Sequence, residues 1–311
     1  MKFTVDPWDP AYGASVQQDL GESTTVPTTD VERPDSEWGP IAAGGRAERA
    51  GVVLFVDGVR RIEARAWIDG PVEAVPGVFA SWAAGIVRCD GEAKLIDADI
   101  GRGLFAPASG LSDVQTRYGR FVATSTPNSR PEALNTAINT RMTEVEARIA
   151  ERTRRTHADL IVLDGPLRES TRHLAGAVGV VKSHDVKYLP PALDRVVSAL
   201  DAGERTPVFR IEARFRRYSW YLRLPGPPGG PWAGIVRCEA GVDATAEQVI
   251  ALADRVALTL PRFASEPHKE ARAPQNLYPI AGLERELRRR LGDATLLYRA
   301  LRVASAGVTV S

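Results

Sequence analysis

The chain has 311 residues, 44% hydrophobic and 25% charged, and its 40 basic and 39 acidic side chains leave a net charge of +1. This composition excludes a mostly disordered chain, a collagen and a long coiled coil. The two cysteines, Cys89 and Cys238, exclude a disulfide framework and are too few for a structural zinc site. The near-neutral balance does not mark a bulk nucleic-acid binder, although a local basic groove would suffice for one. No apolar run reaches the ~18–20 residues that cross a bilayer, so no membrane partner is expected. Residues 1–10 lack the apolar stretch of a secretion signal, and the cytoplasm is the expected compartment.

Residues 1–50 read as an irregular arm. Pro7, Pro10, Pro27, Pro34 and Pro40 interrupt any long regular element. Trp8 and Trp38 would be costly to leave wet, so the arm is expected to lie against the body or a partner. From Gly51 the pattern changes. The run Val52-Val53-Leu54-Phe55-Val56 predicts a strand buried on both faces. It ends in Asp57-Gly58, and Val59 to Ile68 reads as an outgoing strand with one polar face. Further strands are expected at 79–88, 93–100 and 118–124. Glu132 to Arg155 contains neither Pro nor Gly, and Ile138, Met142, Val145 and Ile149 recur at helical spacing. Ala158 to Leu163 and Ala177 to Lys182 predict two more strands. Residues 191–201 read as a helix, 207–224 and 232–238 as strands, and 244–260 and 279–291 as closing helices. The order defines an α/β chain with a mixed sheet covered by helices, residues 51–311 forming one domain after the arm. Arg61-Ile62-Glu63-Ala64-Arg65 and Gly85-Ile86-Val87-Arg88-Cys89 recur 149 residues later, at 210–214 and 234–238. This echo is either chance between amphipathic strands or two related hairpins in one sheet.

Chemistry concentrates at two segments in which an apolar strand runs into Asp-Gly: Leu54 to Gly58 and Ile161 to Gly165. Strands of one sheet would bring Asp57 and Asp164 together, and converging carboxylates repel unless a cation lies between them. All-oxygen ligands favour Mg²⁺ or Mn²⁺. Asp-Gly is also the strongest two-residue hairpin signal, which competes at Asp57; Pro166 makes a hairpin awkward after Asp164. On the helix before Asp164, Glu146 lies about 40° from Met142 on the wheel and Glu144 about 160°. Glu146 therefore flanks the buried stripe. Lys182, closing its strand, could meet a phosphate as a compact charge. Ser183-His184-Asp185 is no triad, because strand neighbours point to opposite faces. The four histidines (His157, His173, His184 and His268) lack metal-ligand spacing. Gly101-Arg102-Gly103-Leu104-Phe105-Ala106 matches a dinucleotide fingerprint only formally, since Pro107 makes a poor helix start. Glu284, in a Pro-started, arginine-rich helix, would suit a two-metal site.

The strand ending in Asp57-Gly58, the helix glutamate, Leu163-Asp164-Gly165-Pro166-Leu167, Val180-Val181-Lys182-Ser183 and Tyr278-Pro279-Ile280 occur in that order over residues 50–292. Together they resemble the NurA nucleases. The resemblance implies an RNase H-like fold, a homodimer, and cleavage of single- and double-stranded DNA dependent on two Mn²⁺ or Mg²⁺ ions, by 5′–3′ exonuclease and single-strand endonuclease action. It implies docking on a HerA-type hexameric ATPase that translocates DNA, in DNA-end resection or antiphage defence. By motif, Asp57 matches the first acid, Glu146 the helix acid with Glu144 in reserve, Asp164 the later strand acid and Lys182 the basic position. A histidine expected after the Tyr-Pro segment is replaced by Glu284. The implied chemistry is two-metal phosphodiester hydrolysis with Asp57, Glu146, Asp164 and Glu284 as ligands. Lys182, Arg60 and Arg61 would neutralise backbone phosphates. The rival readings are a non-catalytic DNA-processing adaptor with the same fold and a metal-dependent phosphoesterase of small substrates.

Overall fold

The computed structural model describes residues 21–22, 26–42, 44, 47–69, 73–153, 159–184, 186–212 and 216–306. The chain forms two compact units, one of residues 1–55, 88–94 and 154–281 and one of residues 56–87, 95–153 and 282–311.

In the first unit the strand order is β2 (Ile41–Ala42), β11 (Glu204–Arg205), β13 (Arg216–Arg223), β14 (Ile235–Gly241), β9 (Ala177–Val181), β8 (Leu160–Asp164) and the start of β3 (Val53–Ile68), with β12 (Phe209–Glu212) also on β13. Strands β8 and β9 run parallel, with Asp164 opposite Val180. Their apolar sequences, buried along almost their whole length, are what a two-faced interior strand requires. Strands β9 and β14, and β14 and β13, pair antiparallel. Helix α2 (Pro191–Ser198) lays Leu193 and Val197 into a core with Phe209, Ile211, Tyr221 and Ile235. Helix α3 (Ala246–Thr259) opens with a capping box between Thr245 and Gln248.

The described part of residues 1–50 is irregular, with one 3-10 helix at Asp35–Glu37, and is fastened by short pairings. Strand β1 (Gly21–Glu22) adds in parallel to β10 (Val186–Lys187), β2 pairs with β11, and Thr28 bridges Arg210. Trp38 packs against the α2 core and its Nε1 donates to the Thr29 carbonyl at 3.1 Å; Trp8 lies outside the described residues. Glu32 binds the buried Arg205 guanidinium at 2.8 Å, with Asp254 on its other side at 2.6 Å. Burial opposes the charge on Arg205, and the two carboxylates outweigh it, so its pKa lies above the ordinary arginine value.

In the second unit the order is β3, β4 (Val75–Cys89), β5 (Ala93–Ala106), β7 (Gly119–Ser125) and β6 (Val114–Thr116). Strands β5 and β7 are parallel and β6 and β7 antiparallel. Phe79, Leu104 and Phe121 form a core with Leu297 and Leu301, and Phe79 meets Phe121 edge-on at 5.3 Å. Helix α1 (Pro131–Thr153) buries Ile138, Val145 and Ile149, the stripe read from its spacing. Helix α4 (Tyr278–Arg290) brings Leu283 and Leu287 over Gly85, where a β-carbon would stand 3.1 Å from each.

Several expectations are corrected. Asp57-Gly58 is no hairpin: β3 runs through it as one strand of 16 residues. The turn would need positive φ, which Gly58 does not have. The expected strand 207–224 is two antiparallel strands, β12 and β13, with residues 213–215 outside the described set. A further helix, α5 (Ala294–Ser305), follows α4. The internal echo does not produce equivalent hairpins, because its second copy falls on β12 and β14, which are separated by β13. The dinucleotide-like glycines lie inside β5, with the Trp82 ring against Gly101 and the Phe105 ring against Gly103. The sheet is mixed and accompanied by helices, as the element order implied.

Candidate metal centre

Asp57 is the fifth residue of β3, and Asp164 closes β8. Both are placed by the apolar residues before them, which anchor the strands. Asp57 is 7% exposed, and its Oδ1 accepts the Gly58 backbone N–H at 2.7 Å. After Asp164 the chain turns at Gly165, whose φ of +89° suits glycine, and the Gly165 N–H donates to the Val180 carbonyl at 2.9 Å. The turn lies directly on Gly179 of β9. A β-carbon there would stand 2.5 Å from the Leu167 nitrogen and 2.9 Å from the Gly165 carbonyl oxygen. The Leu167 N–H donates to Glu239 Oε2 at 3.0 Å, and the fully buried Glu239 is held by Arg217 at 2.8 Å and Arg237 at 3.0 Å. The backbone after Asp164 is thus tied to the sheet on both sides.

Lys182 follows β9. Its Nζ lies 2.6 Å from Asp164 Oδ1 and donates to Asn276 Oδ1 at 2.9 Å. Asn276 has no exposed surface. One carboxylate oxygen each of Asp57, Asp164 and Glu284 lies within 4.8 Å of the other two. Glu284 reaches this group from α4, in the place where the resemblance expects a histidine. Three carboxylates this close repel one another, and the all-oxygen, anionic donor set fits a hard divalent cation such as Mg²⁺ or Mn²⁺. One ammonium, Lys182, is already at the group.

The other expected residues are placed as follows. Glu146, half-buried on α1, sets its carboxylate against Gly58, where a β-carbon would also meet Met142 Cγ at 2.9 Å. Side chains alternate along β3, so Gly58 and Asp57 face opposite sides of the strand. Glu144 is exposed and pairs with Arg141 at 3.1 Å. Arg60 is exposed and bonds Asn135 of α1 at 2.9 Å. Arg61 is engaged by Glu63 at 2.9 Å and by the Gly292 carbonyl at 2.9 Å. His157 and Asp185 lie outside the described residues. Sequence reasoning missed Asn276 and Glu239. The only signal for Asn276 was an amide in a short segment between Pro274 and Pro279; Glu239 looked like an ordinary polar position on a strand.

No family model and no curated protein matches the chain. Among solved structures, it is similar to endonuclease V of Ciona intestinalis bound to a 24-mer DNA containing an inosine followed by a ribo-adenosine: 12% identity over 78% of this chain and 86% of that chain, TM-score 0.34. A variant of that enzyme with a 23-mer DNA gives 12% identity, 79% and 91% coverage and a TM-score of 0.32. Likeness at this level assigns neither fold family nor activity to this chain.

Proposed function

We propose that this chain is a divalent-cation-dependent deoxyribonuclease of the NurA kind. The observation that carries this reading is the meeting of Asp57, Asp164 and Glu284, distant in sequence, with Lys182 against Asp164. Three neighbouring strands in succession (β3, β4, β5), then a helix, then the parallel pair β8 and β9, with acids on β3 and β8, support an RNase H-like fold.

Asp57, Asp164 and Glu284 would hold Mg²⁺ or Mn²⁺; two such ions are what the resemblance implies. When bound, the cation supplies Lewis-acid polarisation of the phosphate and a water ionisable at neutral pH. Lys182 brings a compact positive charge to the backbone phosphate, and exposed Arg60 adds a second. Arg61, held by Glu63 and Gly292, would shape the positive edge of β3 more than reach for DNA. Glu146 keeps the helix-acid role by motif order. Contacts of this type read the backbone and not the base edges, so single- and double-stranded DNA are both expected substrates. The HerA-type ATPase partner, the homodimer, and the role in DNA-end processing or antiphage defence rest on the resemblance.

The test is cleavage of end-labelled single- and double-stranded DNA with Mn²⁺, with and without chelator, by wild type, Asp57→Ala and Asp164→Ala. Each variant is expected to lose activity by about 100-fold or more. Chelator-resistant cleavage, or equal cleavage by wild type and variants, would overturn the reading.

A further inference from the structure

Lys182 is more than a phosphate contact. Its side chain is only 11% exposed, and its ammonium touches Asp164 Oδ1 at 2.6 Å and Asn276 Oδ1 at 2.9 Å. An ammonium is a donor in every direction, so the Asn276 amide must turn its oxygen to it. The Asn276 Nδ2 is then left buried with no hydrogen-bond partner among the described residues. A fully buried amide that leaves its own donor unsatisfied is oriented by the lysine, and the Asn276 backbone is itself fixed by its N–H to the Arg272 carbonyl at 2.9 Å.

From this we propose that Lys182 is the resident counter-ion of Asp164, occupying the carboxylate oxygen that a divalent cation would use, with Asn276 as its second anchor. The proposal rests on the reading of the three acids as a cation site. Asp164 cannot yield: its strand is paired with β9, and the turn after it is fastened at Gly165 and Leu167. Lys182 can, because four methylenes carry its charge. Two cations at one oxygen repel strongly in a half-buried setting. A divalent ion must therefore push the ammonium off Asp164, and an ammonium so displaced needs another anion. A DNA phosphate is the anion at hand. Lys182 thereby lowers cation affinity in the absence of DNA and couples cation loading to DNA binding.

The experiment is calorimetric titration of the full chain with Mn²⁺ in the absence of DNA, for wild type, Lys182→Met and Lys182→Arg, with Lys182→Gln in place of the Met variant should that one fail to fold. Removal of the charge is expected to tighten Mn²⁺ binding roughly tenfold or more, and Lys182→Arg to stay near wild type. In an Asp164→Asn background the Lys182→Met effect is expected to vanish. If wild type binds Mn²⁺ through Asp164 and Lys182→Met does not tighten it, this inference alone fails. If neither protein binds Mn²⁺, the cation site fails and takes the inference with it.

Discussion

A β-carbon on Gly58 would stand 2.9 Å from Met142 Cγ and against the Glu146 carboxylate. The glycine is there so that α1 can lie close on β3, not to make a turn. Gly58→Ala is expected to destabilise the protein by about 1–3 kcal/mol, the usual cost of overpacking, seen as a lower midpoint in chemical unfolding. The second Asp-Gly has the opposite character: Gly165 is in the left-handed region at +89°. Identical dipeptides thus serve two purposes, and nothing in the dipeptide distinguishes them. The decision lies in what packs on each. At Gly58 it is a helix 84 residues away in the chain, from 142 − 58. At Gly165 it is the adjoining strand, through Val180 and Gly179. The acids themselves were legible because an apolar strand before each one marks a rigid position. Asn276 and Glu239 were not, since their meaning depends on Lys182 and Leu167, partners 94 and 72 residues distant.

Helix α1 was readable because a 3.6-residue period reports which side chains face inward whatever they meet. The same wheel separates exposed Glu144 from half-buried Glu146. It does not tell which residue of β3 the helix meets, and the structure sets Glu146 against Gly58. Helix α5 has a start signal of its own in the sequence. Gly292, at φ +87°, ends the preceding helix, and the Asp293 side chain accepts the Leu296 N–H at 2.9 Å. Helix α3 carries the fuller signal, Thr245 with Gln248 three residues on. Thr245→Ala removes an acceptor for the Gln248 N–H and is expected to cost about 1 kcal/mol, read as a fall in thermal midpoint with native circular dichroism at 20 °C. The split of 207–224 into β12 and β13 is not legible in the sequence because β-rich composition continues through it.

At the scale of the molecule, each unit has its own apolar core, and no described helix is long and apolar enough to cross a membrane. Both cysteines are buried and unlinked. Burial pushes the Cys89 thiol up to about 11, with Arg262 opposing, and pushes Cys238 further up. A thiol whose folded pKa is raised contributes stability that is fully present below its unfolded value of 9.0 and is lost as pH rises toward about 11. Two outcomes are expected. A thiol-specific reagent at pH 7.5 modifies neither cysteine until denaturant unfolds the chain, at a rate set by opening of the structure. The unfolding midpoint falls between pH 9 and 11, by less in Cys89→Ala after correction for the lost side chain. Rapid labelling of native protein at pH 7.5 would contradict the burial of both thiols.

The sequence by itself determined the class of chain and most elements, and drew attention to the two aspartates, because apolar periodicity and an acid after an apolar run are local properties. Only the tertiary structure decided that Glu284 joins Asp57 and Asp164, that Glu146 lies against Gly58, and that Asn276 holds Lys182 on Asp164. Each of these is a distance between residues far apart in the chain, set by how strands align and helices settle on them. No local pattern encodes such a distance.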